Sequence, residues 1–144
     1  MTTPSAGPTD EDTEAQIQPI SGNDDVVRTR QAVRESAQRI GLSLVDQTKL
    51  VTAASELARN TLIHGGGGTA YLWVVEKGRR RGVRVRFVDE GPGIPDLDQA
   101  LTDGWTSGDG MGLGLSGARR LVDDFAIDTE VGGGTRVEIV KWSR

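Results

Sequence analysis

The sequence predicts an α+β fold, a two-layer sandwich in which helices cover one face of a mixed, mostly antiparallel sheet. Two long segments, residues 24–40 and 43–64, repeat apolar side chains at helical spacing. Several shorter runs alternate apolar and polar residues, as strands with one buried face do. The last two runs flank the turn Gly132–Gly134, which favours a hairpin and therefore antiparallel pairing.

Composition limits the classes of protein to which this chain can belong. Its 144 residues suffice for one domain with a hydrophobic core. The net charge of −4 disfavours nucleic acid as a partner, because binding to phosphates needs surplus Lys and Arg. There is no cysteine, so disulfides and thiolate metal sites are excluded. No apolar run is long enough to span a bilayer and the N-terminus does not resemble a signal peptide, so we expect a cytoplasmic protein without a membrane partner.

The N-terminal part of the chain divides into a tail and two helices. Residues 1–14 are polar and acidic without periodicity, so we expect a disordered tail, followed by one domain over residues 15–144. A short strand is expected at residues 17–20. We expect Asn23 or Asp24 to cap the helix over residues 24–40 and Gly41 to end it. The helix over residues 43–64 is expected to end at four consecutive glycines.

The remaining elements are mostly strands. Strands are expected at residues 69–76 and 83–89, with the basic stretch Lys77–Arg81 as a solvated hairpin turn between them. A short helix at residues 96–101 and a longer one at 113–124 are expected next, the latter with Val122 and Phe125 on its buried side. Two further strands, at residues 126–131 and 135–142, complete the predicted sheet.

Three polar side chains lie at four-residue intervals on the second helix. Glu56, Asn60 and His64 therefore project from one face of it. Asn60 could give its amide oxygen to Mg²⁺, and Glu56 could accept a proton from an attacking hydroxyl group. The polar face of an exposed helix would show the same Glu–Asn pair. His64 on its own is more typical of a helix end, or of a residue that supports the binding groups from behind, than of a ligand.

A second candidate binding segment follows the predicted strand at residues 83–89. Asp89 stands where this apolar strand meets a turn, a position from which a carboxylate can accept a hydrogen bond from the exocyclic amine of adenine. Gly91 and Gly93 would allow a ligand to approach the backbone closely. A plain turn is the alternative interpretation, because this segment is rich in turn-forming residues.

The third segment is a glycine-rich loop over residues 108–117 that opens a helix. Alternating glycines allow several backbone N–H groups to point toward an anion, and the start of the helix adds a favourable dipole. The pattern matches neither the dinucleotide-binding fingerprint nor the phosphate loop that ends in Lys. A flexible loop is the alternative, but three such segments in this order favour a nucleotide site.

In chain order, these segments resemble the motifs of the Bergerat-type (GHKL) ATP-binding superfamily of gyrase, heat-shock chaperone ATPases, histidine kinases and MutL. Residues 56–60 resemble its N box, residues 89–93 its first glycine box, residues 110–115 its second, and Gly134-Thr135 its last motif. The resemblance spans residues 17–142. It implies that ATP and Mg²⁺ are bound, with Asn60 as the metal ligand and nucleotide contacts from Asn60, Asp89, Gly91, Gly93, Gly108, Gly110, Met111, Gly112, Leu113, Gly114 and Thr135.

Within this superfamily, the amino-acid sequences of three segments are most similar to those of the RsbT-type serine/threonine switch kinases. These segments are residues 55–60, 103–107 and 117–125. That similarity implies a protein kinase with Glu56 as general base, Asp89 as the adenine anchor and residues 108–114 as a mobile lid. The implied substrate is a STAS-domain protein of a stress-response pathway, either an anti-anti-sigma or a stressosome-type protein. A PP2C-type phosphatase is a further implied partner.

Two other functions stay open at the level of sequence. The chain could be an anti-sigma factor of the SpoIIAB/RsbW kind, which binds a sigma factor directly and whose ATP site would look nearly the same. It could instead act mainly by contact, activating a phosphatase and using phosphorylation only to reset the complex. The chain is too short for the phospho-accepting helices of a histidine kinase or for the transducer domains of gyrase and MutL.

Overall fold

The computed structural model describes residues 15–102 and 114–144. These residues form a two-layer α+β sandwich. Its elements in chain order are β1 (Gln16–Ile20), α1 (Asn23–Arg39), α2 (Leu44–Ile63), β2 (Gly68–Lys77), β3 (Arg80–Asp89), α3 (Leu97–Ala100), α4 (Leu115–Leu121), β4 (Asp124–Glu130) and β5 (Gly134–Trp142). The predicted disordered tail lies outside the described residues.

The five strands form one sheet in the order β1-β2-β3-β5-β4. All four strand pairs of the described chain are antiparallel, so the sheet is more regular than the mixed arrangement predicted. The predicted α+β class with helices on one face is confirmed. The basic hairpin is also confirmed, because Lys77 pairs with Arg80 across a two-residue turn.

The main core lies between the sheet and helices α1, α2 and α4. Alternate residues of the strands face the helices because side chains in a strand point to opposite faces. Burying a large aliphatic side chain contributes about 1.5–3 kcal/mol. The residues buried most completely in this layer include Ile20, Val33, Leu50, Leu57, Val83, Val85, Phe87, Leu115 and Ile139.

A second, smaller cluster covers the opposite face of the sheet. Trp73 and Trp142 are buried there with Val75 and Val140. The guanidinium of Arg86 lies 5.0 Å from the centre of the Trp73 ring, and Arg80 lies over Trp142. Arginine stems and stacked aromatic rings therefore shield this face in place of a second helical layer.

The helix ends follow sequence-encoded caps, with one correction. Gly41 has φ +83°, and Leu42 N–H donates to the carbonyl of Ala37, as in a Schellman motif. Ser43 Oγ accepts a hydrogen bond from Asp46 N–H at the start of α2. The predicted cap of α1 was wrong. Gly22 holds that position and has no side chain that could cap the helix, while the carboxylate of Asp25 accepts a hydrogen bond from Ser21 N–H.

The predicted helix over residues 113–124 was too long. Helix α4 ends at Leu121, and β4 begins at Asp124, so Phe125 belongs to a strand. Phe125 packs against the same core as α4. Because a partly buried strand position, Phe125, continued the apolar spacing of the helix, the sequence pattern did not show where the helix ends.

No helix within residues 15–102 or 114–144 combines the length and apolar character that crossing a membrane requires.

Candidate functional site

A cleft opens between the C-terminal half of α2 and the ends of β3 and β5. It encloses about 430 Å³, including its open mouth. Apolar walls with a few convergent polar groups are typical of small-molecule sites. Its lining consists of Leu57, Asn60, Thr61, His64, Gly65, Phe87, Asp89, Gly93, Ile94, Leu115, Thr135 and Val137.

Asp89 is the carboxylate at the floor of this cleft. It is the last residue of β3 and pairs with Gly68 on one side and Thr135 on the other. Its Oδ1 accepts a hydrogen bond of 2.9 Å from Gly91 N–H, which fixes the side chain at the start of the turn. The sheet register therefore brings together two of the predicted nucleotide-binding residues, Asp89 and Thr135, which are far apart in sequence.

The glycines around Asp89 are positions of close approach. A Cβ on Gly65 would lie 2.6 Å from Asp89 Oδ2, and one on Gly91 would lie 2.7 Å from the Cα of Gly65. Gly93 has φ +78°, and a Cβ there would collide with the carbonyl of Glu130. These glycines let three separate loops meet at the cleft without side chains between them.

The turn after β3 is also tied to the β4–β5 hairpin. Gly132 N–H donates to the carbonyl of Pro92, and Ile94 N–H donates to Thr129 Oγ1. The hydroxyl groups of Thr129 and Thr135 lie 2.9 Å apart. This network holds Thr135 beside Asp89 and leaves the apolar side chain of Ile94 in the cleft wall.

Glu56 and Asn60 occupy successive turns of α2. Asn60 lines the cleft, whereas Glu56 lies one turn earlier and outside the lining. A Cβ on Gly114 would come within 2.7 Å of Glu56 Oε1, so Glu56 lies against the residue that precedes α4. Gly114 has φ +67°, which favours glycine at this contact. Glu56 is half-buried and lies beside Gly114.

Several predicted contacts cannot be compared with the structure. Gly108, Gly110, Met111, Gly112 and Leu113 lie outside the described residues. Gly114 is described, and the residue after it, Leu115, lines the cleft. Helix α4 therefore begins at the cleft.

The donor groups of the cleft fit the two implied ligands. The amide oxygen of Asn60 is the kind of hard oxygen ligand that Mg²⁺ accepts beside water and phosphate oxygens. The described residues contain no group of three or more His, Asp or Glu side chains that could hold a metal by themselves. Asp89 among Leu57, Ile94 and Val137 provides one acceptor in an apolar slot, which suits a flat base with an exocyclic amine.

Sequence reasoning missed part of this site. It treated His64 and Gly65 as the end of a helix, yet both line the cleft. The run of four glycines was the available signal, since glycine also marks positions where backbones approach closely. Val137 was assigned to a strand, and neither it nor Ile94 was given a role in the site, because their meeting depends on the sheet register.

Known proteins resemble this chain in sequence and in fold. Residues 45–143 match the model of the histidine kinase-, DNA gyrase B-, and HSP90-like ATPase family. The serine/threonine-protein kinase RsbT of Bacillus subtilis is 38% identical over 120 residues, which cover 83% of this chain and 90% of that protein. The anti-sigma F factor of Bacillus licheniformis is 32% identical over 101 residues, 65% of this chain and 68% of that protein.

A solved structure shares the fold. The RsbU and RsbW domains of a Mycobacterium tuberculosis protein superpose with a TM-score of 0.64 at 22% identity, over 92% of this chain and 33% of that one. The matched superfamily and its RsbT-like branch are those indicated by the sequence motifs, so that assignment is confirmed. The chain belongs to the histidine kinase-, DNA gyrase B-, and HSP90-like ATPase family, in the branch of the RsbT-like serine/threonine kinases.

Proposed function

We propose that this protein uses ATP and Mg²⁺ to phosphorylate a serine or threonine hydroxyl group on a STAS-domain protein, as a partner-switching regulator of a stress-response pathway. The observation that carries this proposal is the placement of Glu56 and Asn60 on successive turns of α2, where the cleft meets the start of α4. A site of this shape can bind a nucleotide and hold a carboxylate close to its phosphate end. The similarity to RsbT supports the choice of a protein as acceptor.

The proposed reaction transfers one phosphoryl group. The acceptor oxygen forms a bond to the γ-phosphorus, the bond from that phosphorus to the β–γ bridging oxygen breaks, and ADP leaves. Glu56 accepts the proton of the hydroxyl group. Mg²⁺, when bound, neutralises charge on the phosphate oxygens. Most of the rate enhancement in such reactions comes from positioning and charge stabilisation, which the fixed backbone around Glu56 supports.

The opposite end of the cleft is proposed to hold the base. Asp89 accepts a hydrogen bond from the exocyclic amine of adenine, and Thr135 lies beside it on β5. Gly91 and Gly93 shape the turn around this end, and Gly114 leads from the phosphate end into α4. The remaining predicted nucleotide contacts are proposed to be made with the phosphates, and they come from Gly108, Gly110, Met111, Gly112 and Leu113.

Substitution of Glu56 tests the proposed base. We expect Glu56→Gln and Glu56→Ala to lower phosphate transfer by about 10²–10⁴-fold, because proton acceptance is lost. Both variants should bind ADP with Mg²⁺ as the wild type does, because Glu56 does not line the cleft. The measurement is transfer of labelled phosphate from ATP to a STAS protein encoded near this one, with calorimetry for ADP.

Glu35→Gln, at an exposed position on α1, is the matched control and should behave as wild type. Transfer by Glu56→Gln at the native rate would contradict the role of Glu56. Absence of transfer by the wild type to any STAS protein, together with normal ADP binding, would contradict the kinase proposal itself.

A second candidate function is direct binding of a sigma factor. The 32% identity to an anti-sigma F factor favours it as the alternative. Co-purification of the tagged protein with a sigma factor would support this function. Co-purification with a STAS protein or a PP2C-type phosphatase would support the first.

Phosphatase activation could accompany the kinase reaction. If the Glu56→Ala variant still activated a PP2C-type phosphatase, contact with the phosphatase and phosphate transfer would be separable activities.

We further propose that the protein acts in the cytoplasm. A chain without cysteine agrees with this compartment, where disulfides are rare.

A further inference from the structure

A stripe of side chains on the outer face of α2 runs past the proposed general base. Lys49, Thr52 and Arg59 are exposed, and Glu56 among them is half-buried. Lys49 and Thr52 lie seven and four residues before Glu56, and Arg59 lies three residues after it. This spacing places all four side chains on one face of the helix. With a rise of about 1.5 Å per residue, the stripe is about 15 Å long.

This stripe is the surface from which a separate protein can reach Glu56. The glutamate does not line the cleft. A Cβ on Gly114 would come within 2.7 Å of Glu56 Oε1, so the carboxylate lies beside the residue that precedes α4. Within the described residues, α2 packs against α1, α4 and the sheet. The exposed stripe is therefore the part of α2 that an incoming protein can contact next to this carboxylate.

The stripe offers positive charge to such a protein. Among the described residues, neither the ammonium of Lys49 nor the guanidinium of Arg59 has an ion-pair partner. Asp46, the other carboxylate of α2, is buried and lies beside Lys141 instead. The outer face of α2 thus holds a cation on each side of Glu56, and a segment that carries carboxylates on each side of a hydroxyl group would complement it.

We propose that Lys49, Thr52 and Arg59 form the docking surface for the substrate protein, and that the docked segment carries carboxylates on both sides of the acceptor serine or threonine. The proposal rests on the kinase function proposed above and adds the chemistry of the phosphorylated segment. Arg59 lies one turn from Glu56 and holds one carboxylate through its planar guanidinium. Lys49 lies two turns away on the other side and attracts the second carboxylate. Thr52 is small and uncharged and leaves the approach to Glu56 open.

Charge reversal at Arg59 tests this docking surface. We expect Arg59→Glu to raise the KM for the acceptor at least about tenfold, because like charges would then face each other. Lys49→Glu should raise this KM less, since Lys49 lies farther from Glu56, and Arg59→Lys should retain most of the wild-type value. The affinity for ADP with Mg²⁺ and the kcat at saturating acceptor should stay close to those of the wild type. The acceptor is the STAS protein encoded near this one, assayed by transfer of labelled phosphate, with calorimetry for ADP.

Lys77→Glu is the matched control. It makes the same change of charge at an exposed position of the β2–β3 hairpin, at the end of the sheet opposite to Asp89, and should leave the KM for the acceptor unchanged. An unchanged KM in Arg59→Glu, or an equal rise in Lys77→Glu, would overturn the proposal. A loss of ADP affinity in Arg59→Glu in step with the rise in KM would also overturn it, because Arg59 would then support the nucleotide site next to Asn60.

A compensating change in the acceptor tests the charge pairing directly. With Arg59→Glu, replacement of the acidic residue nearest the phosphorylated serine or threonine by lysine should restore a low KM. Failure of every such replacement, or an acceptor without carboxylates beside the phosphorylated residue, would exclude this docking surface. Normal phosphate transfer by the wild type in the same assay would leave the kinase function intact. If the wild type phosphorylated no STAS protein, the proposed function and the docking surface would fail together.

Discussion

At the scale of single residues, the position of Asp89 depends on glycines from two separate loops. Gly65 follows α2 and Gly91 follows β3, and a side chain on either would overlap the other loop or the carboxylate. The sequence identified Asp89 and Gly91, because both belong to one short turn-forming segment. It could not identify the role of Gly65, since its contact with Asp89 exists only after α2 and β3 pack side by side.

Gly65→Ala tests this close approach. The added methyl group would lie 2.6 Å from Asp89 Oδ2, so we expect the carboxylate to move and ADP affinity to fall at least tenfold. Gly22→Ala is the matched control, since a Cβ at Gly22 meets no atom within 4 Å. The control should cost about 0.5–1 kcal/mol of stability at the start of α1 and leave calorimetric ADP affinity unchanged. Equal ADP affinities for both variants would contradict this account of Gly65.

At the scale of secondary structure, the long amphipathic helices and the central strands were predictable, whereas transitions between elements were less so. Ser43 and Gly41 are strong local signals, and the structure confirms both helix ends. The change from α4 to β4 was not predictable. Phe125 lies in β4 and packs against the same core that it would contact from a longer α4 helix. The spacing of apolar residues indicates which side chains face the core, and Phe125 faces the core whether its segment is the predicted helix or the observed strand.

The first turn of α1 carries a carboxylate whose ionised form is stabilised. Ser21 N–H donates a 2.8 Å hydrogen bond to Asp25 Oδ2. This bond, with smaller contributions from the Ser21 hydroxyl and Arg28, lowers the pKa of Asp25 below its ordinary value of 3.8. Because the folded-state pKa is lowered, the stabilisation is fully present above pH 3.8 and is lost as the pH falls through the folded value.

The Asp25→Asn variant isolates this contribution. We expect the wild type to be more stable than the variant at neutral pH and the difference to shrink below pH 3.8. Urea denaturation at several pH values measures it. A difference that stays constant down to pH 2, or one that grows on acidification, would contradict this interpretation.

A buried ionic cluster joins three elements at the end of α2 remote from the cleft. Lys141 follows Val137 and Ile139 on the core-facing side of β5 and is 3% exposed. Its ammonium lies 3.7 Å from Asp46 of α2 and 3.5 Å from Asp123, which precedes β4. Sequence patterns did not indicate this cluster, because its members come from distant segments and meet only through the sheet order.

Lys141→Met would remove the buried ammonium from beside Asp46, which is buried, and from beside the more exposed Asp123. The exposed side chain of Arg144 would remain as the second cation near both carboxylates. We expect a loss of at most about 3 kcal/mol of unfolding free energy, because removing one partner of a buried ion pair leaves charge on Asp46 that Arg144 compensates only in part. Adding Asp46→Asn should recover part of that loss. Lys77→Met, at an exposed position, should stay within about 0.5 kcal/mol of the wild type. A loss in Lys141→Met no larger than in Lys77→Met, by urea denaturation, would exclude a stabilising role for the cluster.

At the scale of the whole molecule, the two faces of the sheet have different functions. The helix-covered face holds the main core and, at one end, the cleft. The opposite face is closed by its own aromatic and arginine side chains. The family, the two-layer sandwich fold and the order of the site motifs could be predicted, because each depends on local patterns along the chain. Which groups face one another across the cleft depends on sheet register, which those patterns do not specify.

The distribution of charge along the chain leads to a prediction about solubility. Residues 1–14 contain four acidic residues and no basic one, so residues 15–144 contain 17 acidic and 17 basic residues. The whole net charge of −4 therefore resides in the first 14 residues. Net charge keeps proteins apart in solution, and a value near zero promotes association.

A variant without residues 1–14 should consequently be less soluble near pH 7 than the full chain. Its melting temperature and ADP affinity should be unchanged, because the core and the cleft are built from residues 15–144. Two full-length controls separate the effect of charge from the effect of chain length. Neutralisation of the four acidic residues should reproduce the loss of solubility. A scrambled sequence of the same composition at residues 1–14 should leave solubility unchanged. Precipitation assays with ammonium sulfate measure the effect. If the truncated chain melted at a lower temperature than the scrambled variant, these residues would instead contribute specific contacts to the folded domain.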